Sequence, residues 1–131
     1  MSKRIKHNKL VRDKIPNILI KRGKAFKCHT VTGTELQMAL SCKVLEEAKE
    51  VNEAAQNFVI KDENTNIGNP PNARKNQLIG ELADLMEVTF ALMKAFNISA
   101  DTVKKEMACK ANSNGKFNDG IYLEWVGEDD D

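Results

Sequence analysis

The sequence predicts a mainly α fold, a helical bundle, on three observations. Two long stretches place apolar residues at helical spacing, a break rich in Asn, Pro and Gly separates them, and a serine stands where a third helix would begin. A small two-stranded β addition is expected from segments 25–31 and 121–126, which hold aromatic and β-branched residues in loose alternation. With 131 residues the chain fits one domain, 1–131.

Each element has its own signal. Residues 1–12 show no helical period and form a basic N-terminal segment. A short helix is expected over 13–22, with Pro16 in its first turn and Gly23 just past its end. A long helix follows, opened by Thr34 and Gln37 in the spacing of a capping box. Its apolar stripe is Leu40, Val44, Val51, Ala54 and Phe58, and the period stops near Lys61. The Asn- and Pro-rich stretch 62–72 is read as a loop insert. A second long helix is expected over 76–96. Ser99 caps a third over 100–112, with Gly115 at its C-terminal turn, and 127–131 is an acidic tail.

Composition narrows the function classes. Hydrophobic residues make up 41% and charged residues 30%, ordinary for a soluble globular domain. No run approaches the roughly 20 apolar residues of a membrane span. Three scattered cysteines, Cys28, Cys42 and Cys109, without a CxxC, suggest neither a zinc site nor a disulfide framework, and a cytoplasmic setting is expected. No P-loop, GxGxxG or nucleophile elbow is present. The net charge of +1 hides an asymmetry: residues 1–27 carry ten Lys or Arg against the single acid Asp13. A basic end on an acidic body suits an anionic ligand met by cations and metal-holding carboxylates, or simply a solvated arm.

The acids are placed unlike a wet helix face. Positions three, four and seven apart share one side of a helix. Glu47 therefore falls in the seam with Leu40, Val44, Val51 and Ala54; Glu50 follows one turn on, and Glu46 and Glu53 flank them. From 76 to 93 there is no Lys or Arg, apolar residues surround the helix on almost every side, and the only charges are Glu81, Asp84 and Glu87 on one edge. A helix apolar all round is expected to be buried. Buried carboxylates must be paired, protonated or bound to metal. The pairs Glu47/Glu50 and Glu81/Asp84 can face each other in an antiparallel pair of helices and suit a hard cation such as Mg²⁺. The alternative is that Glu81 and Asp84 pair with the basic N-terminal segment.

This pattern resembles a known superfamily. ExxE, a gap, then ExxD is the signature of the all-α NTP pyrophosphatases, and it stands here as EEAKE, 46–50, and ELAD, 81–84. The opening NKLVRDKIP, 8–16, and the closing GKFNDGIYL, 115–123, are similar to those of a MazG-like subgroup of nucleotide pyrophosphohydrolases. The resemblance implies an all-α bundle and Mg²⁺, with Mn²⁺ as a substitute, held by Glu47, Glu50, Glu81 and Asp84. It implies that Glu46 orients water, and that Lys110, Lys116 and Asn8, Lys9, Arg12 and Lys14 of the opening contact phosphate. Dimers or tetramers are typical of such enzymes, and 62–72 makes the gap longer than in compact members.

The expected reaction is attack of water at the α-phosphorus of a nucleoside triphosphate or deoxynucleoside triphosphate, releasing monophosphate and pyrophosphate, with Glu46 or Glu50 holding the water. The nearest alternative is phosphoribosyl-ATP pyrophosphohydrolase, which shares the acidic signature but not the NKLVRDKIP opening. From another class, a non-catalytic nucleic-acid-binding protein is suggested by the basic arm, though the acidic body would repel phosphate; a degenerate relative serving as a helical interaction protein is a further alternative, against which all four acids stand. His7 and His29 are isolated and read as structural. Trp125 suits either stacking on a base or a core place at a strand end.

Overall fold

The computed structural model describes residues 3–63 and 71–129; the side chains of 61–63 and 71 lie outside that description. It contains four helices in the order α1 (Ile15–Lys21), α2 (Gly33–Glu63), α3 (Pro71–Ala95) and α4 (Ala100–Asn114). Two compact units divide it, 1–98 and 99–131, so α1 to α3 belong to the first and α4 to the second.

The first unit is built on α2 and α3. Gln37, near the start of α2, donates from Nε2 to the carbonyl of Ala95 at the end of α3, at 3.1 Å. At the other end, the Arg74 guanidinium lies 5.8 Å over the Phe58 ring. The two helices are therefore antiparallel. Their facing stripes hold Leu40, Glu47 and Ala54 on α2 and Arg74 and Val88 on α3, all buried, with Val44, Val51, Leu78, Glu81 and Leu85 half-buried among them. Both stripes advance by alternating steps of three and four, the pattern that keeps one helix face on its partner.

Local chemistry explains the helix ends. In α1, Pro16 sits in the first turn, and Gly23 at φ +67° lets the N–H of Lys24 return to the carbonyl of Leu19. Asn97 does the same for α3 at φ +57°, a conformation Asn tolerates better than most residues, and Ile98 N–H reaches the Met93 carbonyl at 2.9 Å. In the second unit, Ser99 caps α4 by accepting from the N–H of Thr102 at 3.1 Å, and Gly115 closes it at φ +87°.

Four expectations need correction. The β addition is absent: 25–31 and 121–126 contain no strand among the described residues. Their side chains are almost all exposed, and a two-stranded ribbon without a face to bury is marginal in water. The Thr34–Gln37 capping box does not form, because α2 already begins at Gly33 and Gln37 donates to Ala95 instead. The insert 62–72 is shorter than read: α2 continues through Glu63 and α3 starts at Pro71, while 64–70 lie outside the described residues. A proline at a helix start loses no hydrogen bond, so Pro71 opens α3 rather than blocking it. Finally, α3 is not covered all round: Ile79, Leu82, Met86 and Phe90 form an exposed apolar stripe along it. No helix among the described residues is long and apolar enough to cross a membrane.

Candidate active site

The seam of α2 and α3 carries acids where apolar residues would pack. Carboxylate oxygens of Glu47, Glu50 and Glu81 lie within 4.8 Å of one another, from the middle turns of the two helices. Glu47 is 7% exposed as a whole residue, so it sits as deep as the core residues on either side of it. Its Oε2 and the Oε2 of Glu81 are buried without a hydrogen-bond partner. Leaving a buried carboxylate oxygen unpartnered costs on the order of 1–3 kcal/mol or more, so each of these two is suited to a proton or a cation. Clustered hard oxygens of this kind fit a divalent ion such as Mg²⁺ or Mn²⁺, so the cluster can hold a metal.

Lysine and arginine frame the cluster. Lys43 reaches forward along α2 to Oε1 of Glu46 at 3.3 Å and Oε1 of Glu47 at 3.2 Å. Lys9, from the N-terminal segment, meets the same Oε1 of Glu46 at 3.4 Å. Arg12 pairs with Oδ1 of Asp84 at 2.7 Å. Asn8 makes this reach possible. Its φ of +44° turns the chain just before Lys9, a backbone state open to Asn and awkward for β-branched residues.

These neighbours set the ionisation of the acids. Burial works to raise Glu46, but the hydrogen bonds and charges of Lys43 and Lys9 outweigh it and hold its carboxyl below the ordinary range. Glu47 moves the other way: burial is the main cause, the adjacent Glu50 adds to it, and Lys43 only partly opposes them. Burial lowers Lys43, yet its bonds to Glu47 and Glu46 prevail and hold its ammonium charged to higher pH.

Of the four predicted ligands, the structure groups three, and Asp84, outside that group, pairs with Arg12. The alternative weighed from sequence, pairing with the basic segment, thus describes Asp84 but not Glu81. Among the predicted phosphate contacts, Lys9 and Arg12 stand at the acids, while Asn8 and Lys14 shape the segment, Lys14 as the N-cap of α1. Lys110 and Lys116 are exposed on the second unit. His7, His29 and Trp125 are exposed, so Trp125 has no core place. All three cysteines are free thiols.

Two residues escaped the sequence reading. Lys43 was legible as a lysine three and four positions before two glutamates, the spacing of helical ion pairs. Arg74 was hidden because α3 was started five residues too late; it is a buried arginine near the far end of the seam from Gln37.

A comparison with known families decides what this arrangement belongs to. The family model described as phosphoribosyl-ATP pyrophosphohydrolase matches residues 19–111, which include both acidic pairs and Lys43. The chain belongs to that family. Phosphoribosyl-ATP pyrophosphohydrolases are members of the all-α NTP pyrophosphatase superfamily suspected from ExxE and ExxD, and the chain is accordingly a pyrophosphohydrolase, a hydrolase acting on phosphoric anhydrides. The match leaves out both 8–16 and 115–123, the blocks that resemble the MazG-like subgroup. No curated protein and no solved structure matches the chain.

Proposed function

We propose that this pyrophosphohydrolase cleaves nucleoside or deoxynucleoside triphosphates to monophosphate and pyrophosphate, with Mg²⁺ held by Glu47, Glu50, Glu81 and Asp84, as a house-cleaning activity on nucleotide pools. The observation that carries the reading is the convergence of Glu47, Glu50 and Glu81 within 4.8 Å, with two buried oxygens unpartnered. The bound ion would neutralise polyphosphate charge and lower the pKa of a water. The chain's own residues do the rest. Both lysine contacts of Glu46 fall on Oε1, which leaves Oε2 to orient the water. Glu50 belongs to the ion. Arg12, Lys9, Lys14 and Asn8 meet phosphate at the mouth of the seam, and Arg12 offers a bidentate fork. Lys110 and Lys116 are further phosphate contacts on the family analogy. We treat 1–131 as one domain, since the family match runs through both compact units, and assign it to the cytoplasm from its free thiols.

The second reading is hydrolysis of phosphoribosyl-ATP, favoured by the description of the matching family. One assay separates them. The full chain is incubated with Mg²⁺ and with NTPs, dNTPs or phosphoribosyl-ATP, and pyrophosphate is measured. Release from one or more triphosphates is expected, and release from phosphoribosyl-ATP alone would hand the assignment to the second reading. Glu47→Gln and Asp84→Asn should each abolish release while the helical circular dichroism stays intact. Full turnover in either variant would remove the metal site from the mechanism.

A further inference from the structure

The geometry points to Arg12 as a competitor for the fourth metal ligand: its guanidinium and a divalent cation contend for Asp84, so that metal affinity and substrate binding are coupled through this one arginine. The inference rests on the metal reading of the site and adds a device to it. Three observations carry it. Glu47, Glu50 and Glu81 converge, whereas Asp84, one turn after Glu81 on the same helix, is turned to Arg12 at 2.7 Å. That pair bridges 72 positions of sequence, from a segment before α1 to the middle of α3. Its two side chains are 59% and 42% exposed, so the contact is a weak surface ion pair and not a buried lock.

A carboxylate oxygen already engaged by a guanidinium is not free for a cation, and two positive charges at one carboxylate repel. Cation binding at Asp84 therefore displaces Arg12. Once displaced, the guanidinium lies beside the acidic cluster with no carboxylate partner, placed to take a phosphate oxygen. Its neighbour Lys9 also reaches the acids, meeting Glu46 at 3.4 Å, so the segment has a second contact at the seam while Arg12 changes partner. Phosphate thus withdraws the competitor, and a polyphosphate raises the affinity for the metal; by linkage the metal raises the affinity for polyphosphate by the same factor. Arg12 is in this sense a positioning residue for the cation as well as a substrate contact.

The test is equilibrium binding of Mn²⁺ to the full chain, followed by the loss of the free-ion electron paramagnetic resonance signal. Wild type, Arg12→Ala and Arg12→Lys are compared, each alone and with an α,β-methylene nucleoside triphosphate that cannot be cleaved at the scissile bond. Removing a weak competing pair should tighten Mn²⁺ binding by about two- to fivefold in Arg12→Ala without nucleotide. Arg12→Lys should fall between. The analogue should tighten Mn²⁺ binding to wild type more than to Arg12→Ala. A merely structural role for Arg12 would weaken metal binding or leave it alone, and a charge effect without competition would leave Arg12→Lys at the wild-type affinity. Equal or weaker Mn²⁺ affinity in Arg12→Ala, with wild type still binding, overturns the competition and leaves the metal site standing. If wild type binds Mn²⁺ no better than Glu47→Gln does, the metal reading itself falls, and this inference falls with it.

Discussion

Glu47 shows how a single residue can work against the fold to serve the site. An apolar side chain at this point of the seam would continue the stripe of Val44 and Val51; a carboxylate there meets burial and the charge of Glu50, and its pKa rises above the ordinary 4.5. A raised folded-state value means that the folded chain holds the proton more tightly than the unfolded one. The contribution to stability is then fully present below about 4.5 and is lost as pH rises through the raised value. Glu47→Gln removes this term, so its melting temperature relative to wild type should climb between about pH 4 and pH 7. Thermal melts of the two proteins across that range check it, and a difference that does not change with pH would refute the burial account. Glu46 carries the opposite sign. Its carboxyl is held low by Lys43 and Lys9, so its stabilisation is present above the ordinary value and lost as pH falls through the lowered one. Glu46→Gln should therefore cost more at neutral pH than at pH 4. Mg²⁺ at neutral pH should raise the wild-type melting temperature, by binding the folded state alone, and should do little for Glu47→Gln.

At the scale of elements, the helices and their ends follow from short-range chemistry, which is why so much of them was legible. Pro16, Gly23, Ser99 and Gly115 act within one or two turns of their own positions, and each sits where its backbone geometry is needed. The Ser99 cap supplies one of the otherwise unpartnered first N–H groups of α4. Ser99→Ala should destabilise by about 1 kcal/mol, whereas Ser99→Asp should hold stability near wild type. Chemical denaturation followed at 222 nm reads both, and equal loss in the two variants would show that the cap hydrogen bond is not the cause. The seam was legible for the same reason: Leu40, Glu47 and Ala54 are tied by the helical period alone. What stayed hidden depended on distance. Nothing local tells Arg12 that its partner is Asp84, or Gln37 that it will meet the carbonyl of Ala95. The expected strands failed because alternation within 25–31 says nothing about a partner to pair with. Pro71 looks locally like an interruption although it opens α3, and Arg74 lies in the turn that follows it.

At the scale of the whole molecule, the apolar surface of the first unit exceeds what its own helices cover, and this leads to the prediction that the chain is a homo-oligomer, a dimer or a pair of dimers. Ile79, Leu82, Met86 and Phe90 recur at three and four along α3 and are between 42% and 58% exposed. On α2, Met38, Leu45 and Val59 stand seven or fourteen apart and are also exposed, at 63%, 72% and 57%. Two stripes at helical spacing on two packed helices differ from the scattered single residues that any surface carries, because they can meet another helix along their length. A second copy related by a two-fold axis offers the same stripes in return, and a self-complementary contact needs no further partner. Sedimentation equilibrium at micromolar concentration should give a mass of two or four times 14.7 kDa. Met86→Glu sets a charge in the middle of the α3 stripe, on the exposed side of the helix and not in the seam that holds Glu81, so it should lower the mass toward one chain while the helical signal persists. Addition of Mg²⁺ supplies the control for the site, since a monomeric variant that still gains thermal stability from the ion has lost its partner and not its metal. A wild-type mass of a single chain would refute the oligomer and would require another role for Ile79, Leu82, Met86 and Phe90.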